Sequence, residues 1–400
     1  ANGSGWGIPK ELVLVLVVAS TVFCLKMLPG AIGDSLSKQY QIFNNKHTWV
    51  MSVIYTMTFG SFIGFSAAFP LAIKVIFGFQ HVLVDGQMTH DTVNPNGPSA
   101  LMYAWMAPFI GALIRPVGGW IADKITGYKW AVIIGCFIMM LGHASMVFET
   151  QFTLYLGLAL LVIGTGFFKP NVTSMISEMY KGKESKKDGA YTIFYMGVNA
   201  GAFFGMMLCG YLAENIGWSW GFGLAGIFML LGTMQFWFGR EIFESIGVSP
   251  SKKVDLSDAV EKVEISEDKT PENVQRDRYI VVGLLAFFTV FFWWAFEQAS
   301  GSMNIFARDY TQRALTGDSA MIFKTIDILV STVPLLIISW VLLKLFGQTF
   351  KKISLSNIVL GISFLSIWGI VIWKLSVIIP QQNTEIEASW FLILNSLFII

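Results

Sequence analysis

The chain has 400 residues, of which 54% are hydrophobic and 13% charged, about half the charged share of a soluble domain. That balance excludes an ordinary soluble domain and implies a polytopic membrane protein. A formal net charge of +1 gives no basis for nucleic-acid binding. The opening ANGSGWGIPKEL lacks the basic n-region and small-residue cleavage site of a signal peptide. With no initiator Met and an end inside the apolar run LNSLFII, the chain reads as a fragment at both ends. Cys24, Cys136 and Cys209 lie in apolar runs without CxxC spacing, so they read as buried thiols, not disulfides or metal ligands.

Apolar runs occur at Leu12–Leu28, Thr48–Phe79, Ala100–Ala122, Trp130–Phe148, Phe152–Tyr180, Ala190–Ala213 and Trp218–Phe238. After a polar gap come Tyr279–Ala307, Ala320–Phe346, Ile353–Val377 and Trp390–Ile400, giving ten full candidate spans and one cut short. Basic and lysine-free loops alternate, as the positive-inside rule requires. Pro29–His47, Asp123–Lys129 and Met179–Gly189 carry lysines, including Lys183, whereas His81–Ser99, Glu149–Gln151 and Glu214–Gly217 carry none. The basic loops are therefore expected in the cytoplasm. Residues 240–278 hold seven Lys or Arg with ten Asp or Glu and read as a solvated cytoplasmic linker. Arg308 and Arg313, on an outside loop, are a mild exception to the rule. The expected fold is all-α: a helical membrane bundle in two halves joined by that linker.

The run Phe152–Tyr180 organises the rest. It is apolar from Phe152 to Phe168, then carries Lys169, Pro170 and Asn171 after Gly164, Thr165 and Gly166. An ammonium in lipid costs a few kcal/mol or more unless paired or hydrated. The proline and glycines loosen the backbone where only a protein-lined cavity tolerates it. Lys169 is thus a candidate for work in a pathway, the alternative being a lysine that snorkels from a helix end. Glu297, in FFWWAFEQASGSMN, is a carboxylate far from either span end. With Gly301, Asn304 and Arg308 it continues one helical stripe. Desolvation favours its protonated form and a nearby lysine opposes this, which suits a group that binds and releases a proton. Tyr191, Tyr195 and Asn199 recur every four residues and offer hydroxyls and an amide for peptide backbone groups, or for ordinary interhelical bonds.

Arg115 is embedded eight residues from Asp123, about 12 Å by helical rise. Its fork matches planar oxyanions, carboxylate or nitrate alike, unless it snorkels or is ion-paired. His143 reads as structural, Lys324 and Asp327 at i,i+3 can neutralise each other, and no role is assigned to Lys344. Gly197, Gly201 and Gly205 share one helix face and permit close packing. No HExxH, GxSxG or phosphate-binding glycine loop is present, so an enzyme is not expected and no cofactor is implied.

GGWIADKITGYKW, Gly118 to Trp130, resembles the loop signature of the major facilitator superfamily. From about Gly118 to the end the chain resembles the proton-dependent oligopeptide transporter family through GTGFFKPNVTSMISEMY, DGAYTIFYMGVNAGAFFG, WGFGLAG and FFWWAFEQASGSMNIFA. That resemblance implies proton-coupled symport of small peptides across the cytoplasmic membrane, the proton being the coupling ion. Lys169 would belong to the peptide and proton pathway, Asn199 to the binding cavity, and Glu297 would be the seventh helix's acidic residue. Residues ~10–122 resemble instead the seventh and eighth helices of nitrate/nitrite porters, where Arg115 would hold the anion. The implied division is 1–122 porter-like helices, 123–239 oligopeptide-transporter-like helices, 240–278 linker and 279–400 an incomplete second half. The oligopeptide family's first two helices, with their E-x-x-E-R-F-x-Y-Y word, and its tenth helix are absent. Ala320–Val377 stands as an insertion of two spans. Rival readings are nitrate/nitrite transport through Arg115 and a composite that does not transport.

Overall fold

The computed structural model describes residues 20, 23, 49, 52, 56, 58, 60, 69–79, 82–84, 87–89, 93–98, 100–181, 184–249, 272–298 and 301–399. Residues 69–77 are helical, and a hairpin of β1 (Val82–Val84) and β2 (Gln87–Thr89) follows inside the expected loop His81–Ser99. The helices that follow are α1 (Ala100–Ile121), α2 (Tyr128–Met146), α3 (Gln151–Met179), α4 (Glu184–Asn215) and α5 (Trp218–Gly239). Beyond residues 250–271 come α6 (Glu272–Glu297), α7 (Ser302–Tyr310), α8 (Gly317–Thr349), α9 (Ser354–Ile378) and α10 (Trp390–Ile399). Two-residue strands β3 (Ala314–Leu315) and β4 (Thr384–Glu385) pair antiparallel.

Six helices among the described residues are long and apolar enough to cross a membrane: α2, α3, α4, α5 with the short turn after it, α8 and α9. The protein is an α-helical, multi-pass membrane bundle. Most of Leu12–Leu28 and half of Thr48–Phe79 lie outside the described residues, as do Cys24 and Lys183. The run Tyr279–Ala307 is not one span, because the helix ends at Glu297 and restarts at Ser302. The stripe from Glu297 to Arg308 is therefore divided between two helices. Within the expected linker 240–278, α6 already begins at Glu272.

Glycine seams set the packing. A Cβ on Gly135 would lie 2.8 Å from the Gly164 carbonyl oxygen, and one on Gly157 2.8 Å from that of Gly142. These approaches lock α2 against α3 with backbone nearly touching backbone. On α4, a Cβ at Gly197 would meet the Ser52 carbonyl oxygen at 2.8 Å, and Thr56 Oγ1 donates to the Gly197 carbonyl at 2.8 Å. The glycine face read from the sequence thus receives Ser52, Thr56 and Gly60. α5 packs on α2, α4 and α9, while α10 packs on α4. α3 starts with a reciprocal cap: Thr150 Oγ1 accepts from the Thr153 amide at 3.2 Å and Thr153 Oγ1 accepts from the Thr150 amide at 3.1 Å.

The connections gather at two ends. At one, Glu149 accepts from the Ser219 amide, Asn215 Nδ2 donates to Glu387 at 3.0 Å, and Arg313 pairs with Glu385 at 2.8 Å. At the other, Lys129 donates to the Glu244 carbonyl, the Gly247 amide to Glu178, and the Ser249 hydroxyl to the Ile125 carbonyl. Lysine-free hairpins share one end, and the Asp123–Lys129 loop and the linker's start share the other, as the charge alternation requires. In a background with Cys24, Cys136 and Cys209 replaced, a cysteine at 149 should react with an impermeant maleimide from outside intact cells. One at 244 should react only after permeabilisation. The opposite pattern would invert the topology.

Candidate functional site

Pro170 has no amide hydrogen to give the Gly166 carbonyl, so α3 is loosened one turn before Lys169 is passed. At that turn α1 comes closest: a Cβ on Gly118 would run into the Gly166 carbonyl, and one on Gly166 into Ile114. Buried Asn171 bridges the crossing, its Nδ2 donating to the Phe167 carbonyl at 2.6 Å and to the Gly118 carbonyl at 3.4 Å. Lys169 is half-buried beside this seam. Arg115, one turn before Gly118, is also half-buried, with its Nε enclosed. α1 and α3 thus bring the two sequence-selected cations to one helix pair.

The stripe on α4 is divided in its contacts. Tyr191 Oη donates to the Thr173 carbonyl at 3.2 Å, one turn beyond Lys169, and so ties α4 to the lysine's segment. Tyr195 is 56% exposed. Asn199 donates from Nδ2 to the Tyr195 carbonyl at 2.9 Å, within its own helix. Glu297 is the last residue of α6, and its side chain lies outside the described residues. From Tyr279 to Phe292 the large apolar side chains of α6 are exposed, and among the described residues α6 has no extensive contact with α3.

Between α4 and α8 lies a cavity of about 880 Å³. Ile193, Met196 and Gly197 of α4 face Trp340, Lys344 and Gln348 of α8 across it. Among the described residues that line it, Lys169, Arg115, Tyr191, Tyr195 and Asn199 do not appear, so the selected side chains are not gathered on this one space. Lys344, to which the sequence assigned no role, has its Nζ 3.8 Å from the Trp340 ring centroid, a cation–π arrangement at the cavity wall.

A second polar region stands at the end that carries the lysine-free hairpins. Lys324 and Asp327 do not neutralise each other: Lys324 Nζ donates to the carbonyls of Ile379 and Gln381. Asp327 pairs with Lys374 of α9 at 2.8 Å, their side chains 1% and 2% exposed. A partner across the bundle replaced the one at i,i+3, because Lys324 reaches the open carbonyls at the end of α9. Trp390 Nε1 of α10 donates to the same Asp327 Oδ1 at 3.0 Å. Sequence reading passed over Lys374, although a lone lysine in the run Ile353–Val377 was a signal of the kind that picked out Lys169. Beside the pair opens a pocket of about 240 Å³ lined by Glu214, Asn215, Arg308, Arg313, Glu385 and Glu387, among others. Arg308 and Arg313, the exceptions to the charge rule, thus sit among three carboxylates.

Residues 129–260 match the model of the POT family, PTR2. Dipeptide and tripeptide permease A of Yersinia pestis is 30% identical over 197 residues, which cover 49% of this chain and 34% of that protein. Peptide transporter YePEPT of Yersinia enterocolitica is 27% identical over 308 residues, covering 61% of this chain and 59% of that protein. A crystal structure of a POT family transporter in complex with 5-aminolevulinic acid overlays with a TM-score of 0.49 at 17% identity, over 88% of this chain and 94% of that one. The chain spans about a third to three-fifths of the length of these curated relatives. The nitrate/nitrite-porter resemblance of residues ~10–122 gains no support from these matches. The matched stretch, from Lys129 through α5 and into the linker, carries Lys169, Tyr191, Tyr195 and Asn199.

Proposed function

We propose that the chain belongs to a proton-coupled symporter of di- and tripeptides in the cytoplasmic membrane, built on a major facilitator bundle. The observation that carries this reading is the family match over residues 129–260, which contains Lys169 and its loosened helix turn. A small peptide is a zwitterion, and Lys169 supplies the cation for its carboxylate. Tyr191, Tyr195 and Asn199 supply hydrogen-bonding groups on the neighbouring helix, and Arg115 a second cation on the α1–α3 seam. Glu297 takes up and releases the coupling proton. The partners are peptides, protons and the surrounding lipid; no enzymatic step or cofactor enters.

Uptake of labelled dialanine and labelled nitrate into vesicles reconstituted with the protein, with and without an inward proton gradient, tests the reading. Gradient-dependent dipeptide accumulation without nitrate uptake is the expected result. Nitrate uptake, or no gradient-dependent dipeptide uptake, would overturn it.

A further inference from the structure

The mechanism above leaves unused the most deeply buried charges among the described residues, Asp327 and Lys374. Charges enclosed in a membrane bundle are costly and tend to mark ion or substrate pathways. This pair has a further peculiarity. Both donors, Lys374 Nζ and Trp390 Nε1, converge on Asp327 Oδ1, while Oδ2 is buried with no hydrogen-bond partner among the described residues. A buried carboxylate oxygen left unsatisfied calls for an explanation. A purely structural ion pair would be expected to satisfy both oxygens.

We propose that Asp327 and Lys374 form a proton-binding pair at the outer end of the bundle, reached from the 240 Å³ pocket by way of Glu387. The inference rests on the symport reading. Glu387 lines the pocket, lies on the connection between α9 and α10, and is held by Asn215 Nδ2 at 3.0 Å. Burial raises its pKa above the ordinary 4.5; Lys374 and Asn215 oppose the rise and Glu214 adds to it. It is therefore suited to pass a proton inward from the pocket. The other charged and titratable groups around the pair are mostly engaged elsewhere. Lys324 is held by carbonyls at the end of α9, and Glu214 receives the amides of Ala388 and Ser389 at 3.0 Å. Arg313 is paired with Glu385, Arg308 lines the pocket, and Tyr211 presents its ring to Lys374, 5.6 Å from Nζ.

The step is a simple protonation. A proton from the outer solution binds the Asp327 carboxylate, the carboxyl becomes neutral, and the attraction for the Lys374 ammonium is lost. Loss of the proton re-forms the pair. Because Oδ1 joins α8, α9 and α10, protonation loosens three helices at once. Pro334 breaks the α8 hydrogen-bond ladder seven residues on, about 10 Å by rise, at the edge of the large cavity. A shift of the outer part of α8 can thus bend the wall that carries Trp340 and Lys344.

Two measurements on the full chain test the site. First, acidifying the purified protein in detergent, without peptide, should produce protonated-carboxyl infrared absorbance that is missing in D327N. In E387Q the midpoint should move to more acidic pH, because a nearby negative charge that favours the proton has gone. Second, D327N/K374M, which removes both charges and guards against a single variant that fails to fold, should lose gradient-driven dipeptide accumulation and keep downhill exchange. Unchanged acid-induced absorbance in D327N, or full accumulation with an unaltered pH profile in the double variant, would overturn the proposal. If the parent carries no peptide and the absorbance still depends on Asp327, the symport reading fails and the proton site stands.

Discussion

Lys374→Met should cost the folded bundle about 3–5 kcal/mol, the usual consequence of stripping one partner from a buried ion pair. Lys374 and Asp327 are 2% and 1% exposed, so water does not replace the lost ammonium. Trp390 Nε1 would remain as the single donor to the carboxylate. The loss reflects the uncompensated Asp327 carboxylate left in a site that water does not reach. D327N/K374M should regain most of the stability, since two matched neutral groups leave no charge behind. Denaturation of each variant in detergent reads all of this. A single variant as stable as the parent would show that the pair is hydrated and does not hold α8 to α9.

The positions of the helices were legible because lipid forces every spanning backbone into one local pattern. The apolar runs at Trp130–Phe148 and Phe152–Tyr180 reappear as α2 and α3 with ends shifted by one or two residues. Hydropathy marks where lipid ends, however, not where a helix does. α4 therefore begins at Glu184 and α6 at Glu272, in charged turns that continue the helix into water. The same measure passed over the break between Glu297 and Ser302, where Gly301 sits at φ −90°, ψ −102°, because composition stays apolar on both sides.

The charged residues were legible singly and not in their pairings. Lys169 and Arg115 stand out as charges within apolar runs, and both fall beside the crossing made by Gly118 and Gly166. Asp327 was visible in the same way, but its partner lies 47 residues on. Helical spacing offers only neighbours three or four residues away. Arg308 and Arg313 looked misplaced because a count of loop charges is blind to carboxylates brought in by α4 and the α9–α10 connection.

Lys169→Ala should lower dipeptide uptake at limiting substrate by roughly 10- to 100-fold, since a charge-assisted hydrogen bond is worth about 1.5–3 kcal/mol. The helix itself should persist. Lys169 is half-buried, while the α1–α3 crossing is made by Gly118, Gly166 and Asn171, none of which the change touches. Thermal stability should accordingly stay close to that of the parent, which separates a lost ligand contact from a damaged bundle. If the lysine binds the peptide carboxylate, a dipeptide with an amidated C-terminus should discriminate poorly between parent and variant, while the free acid discriminates strongly. Competition by each peptide against labelled dialanine gives that comparison. Equal losses for the acid and the amide would assign Lys169 to proton movement or to gating, and the carboxylate would have to be sought at another cation such as Arg115.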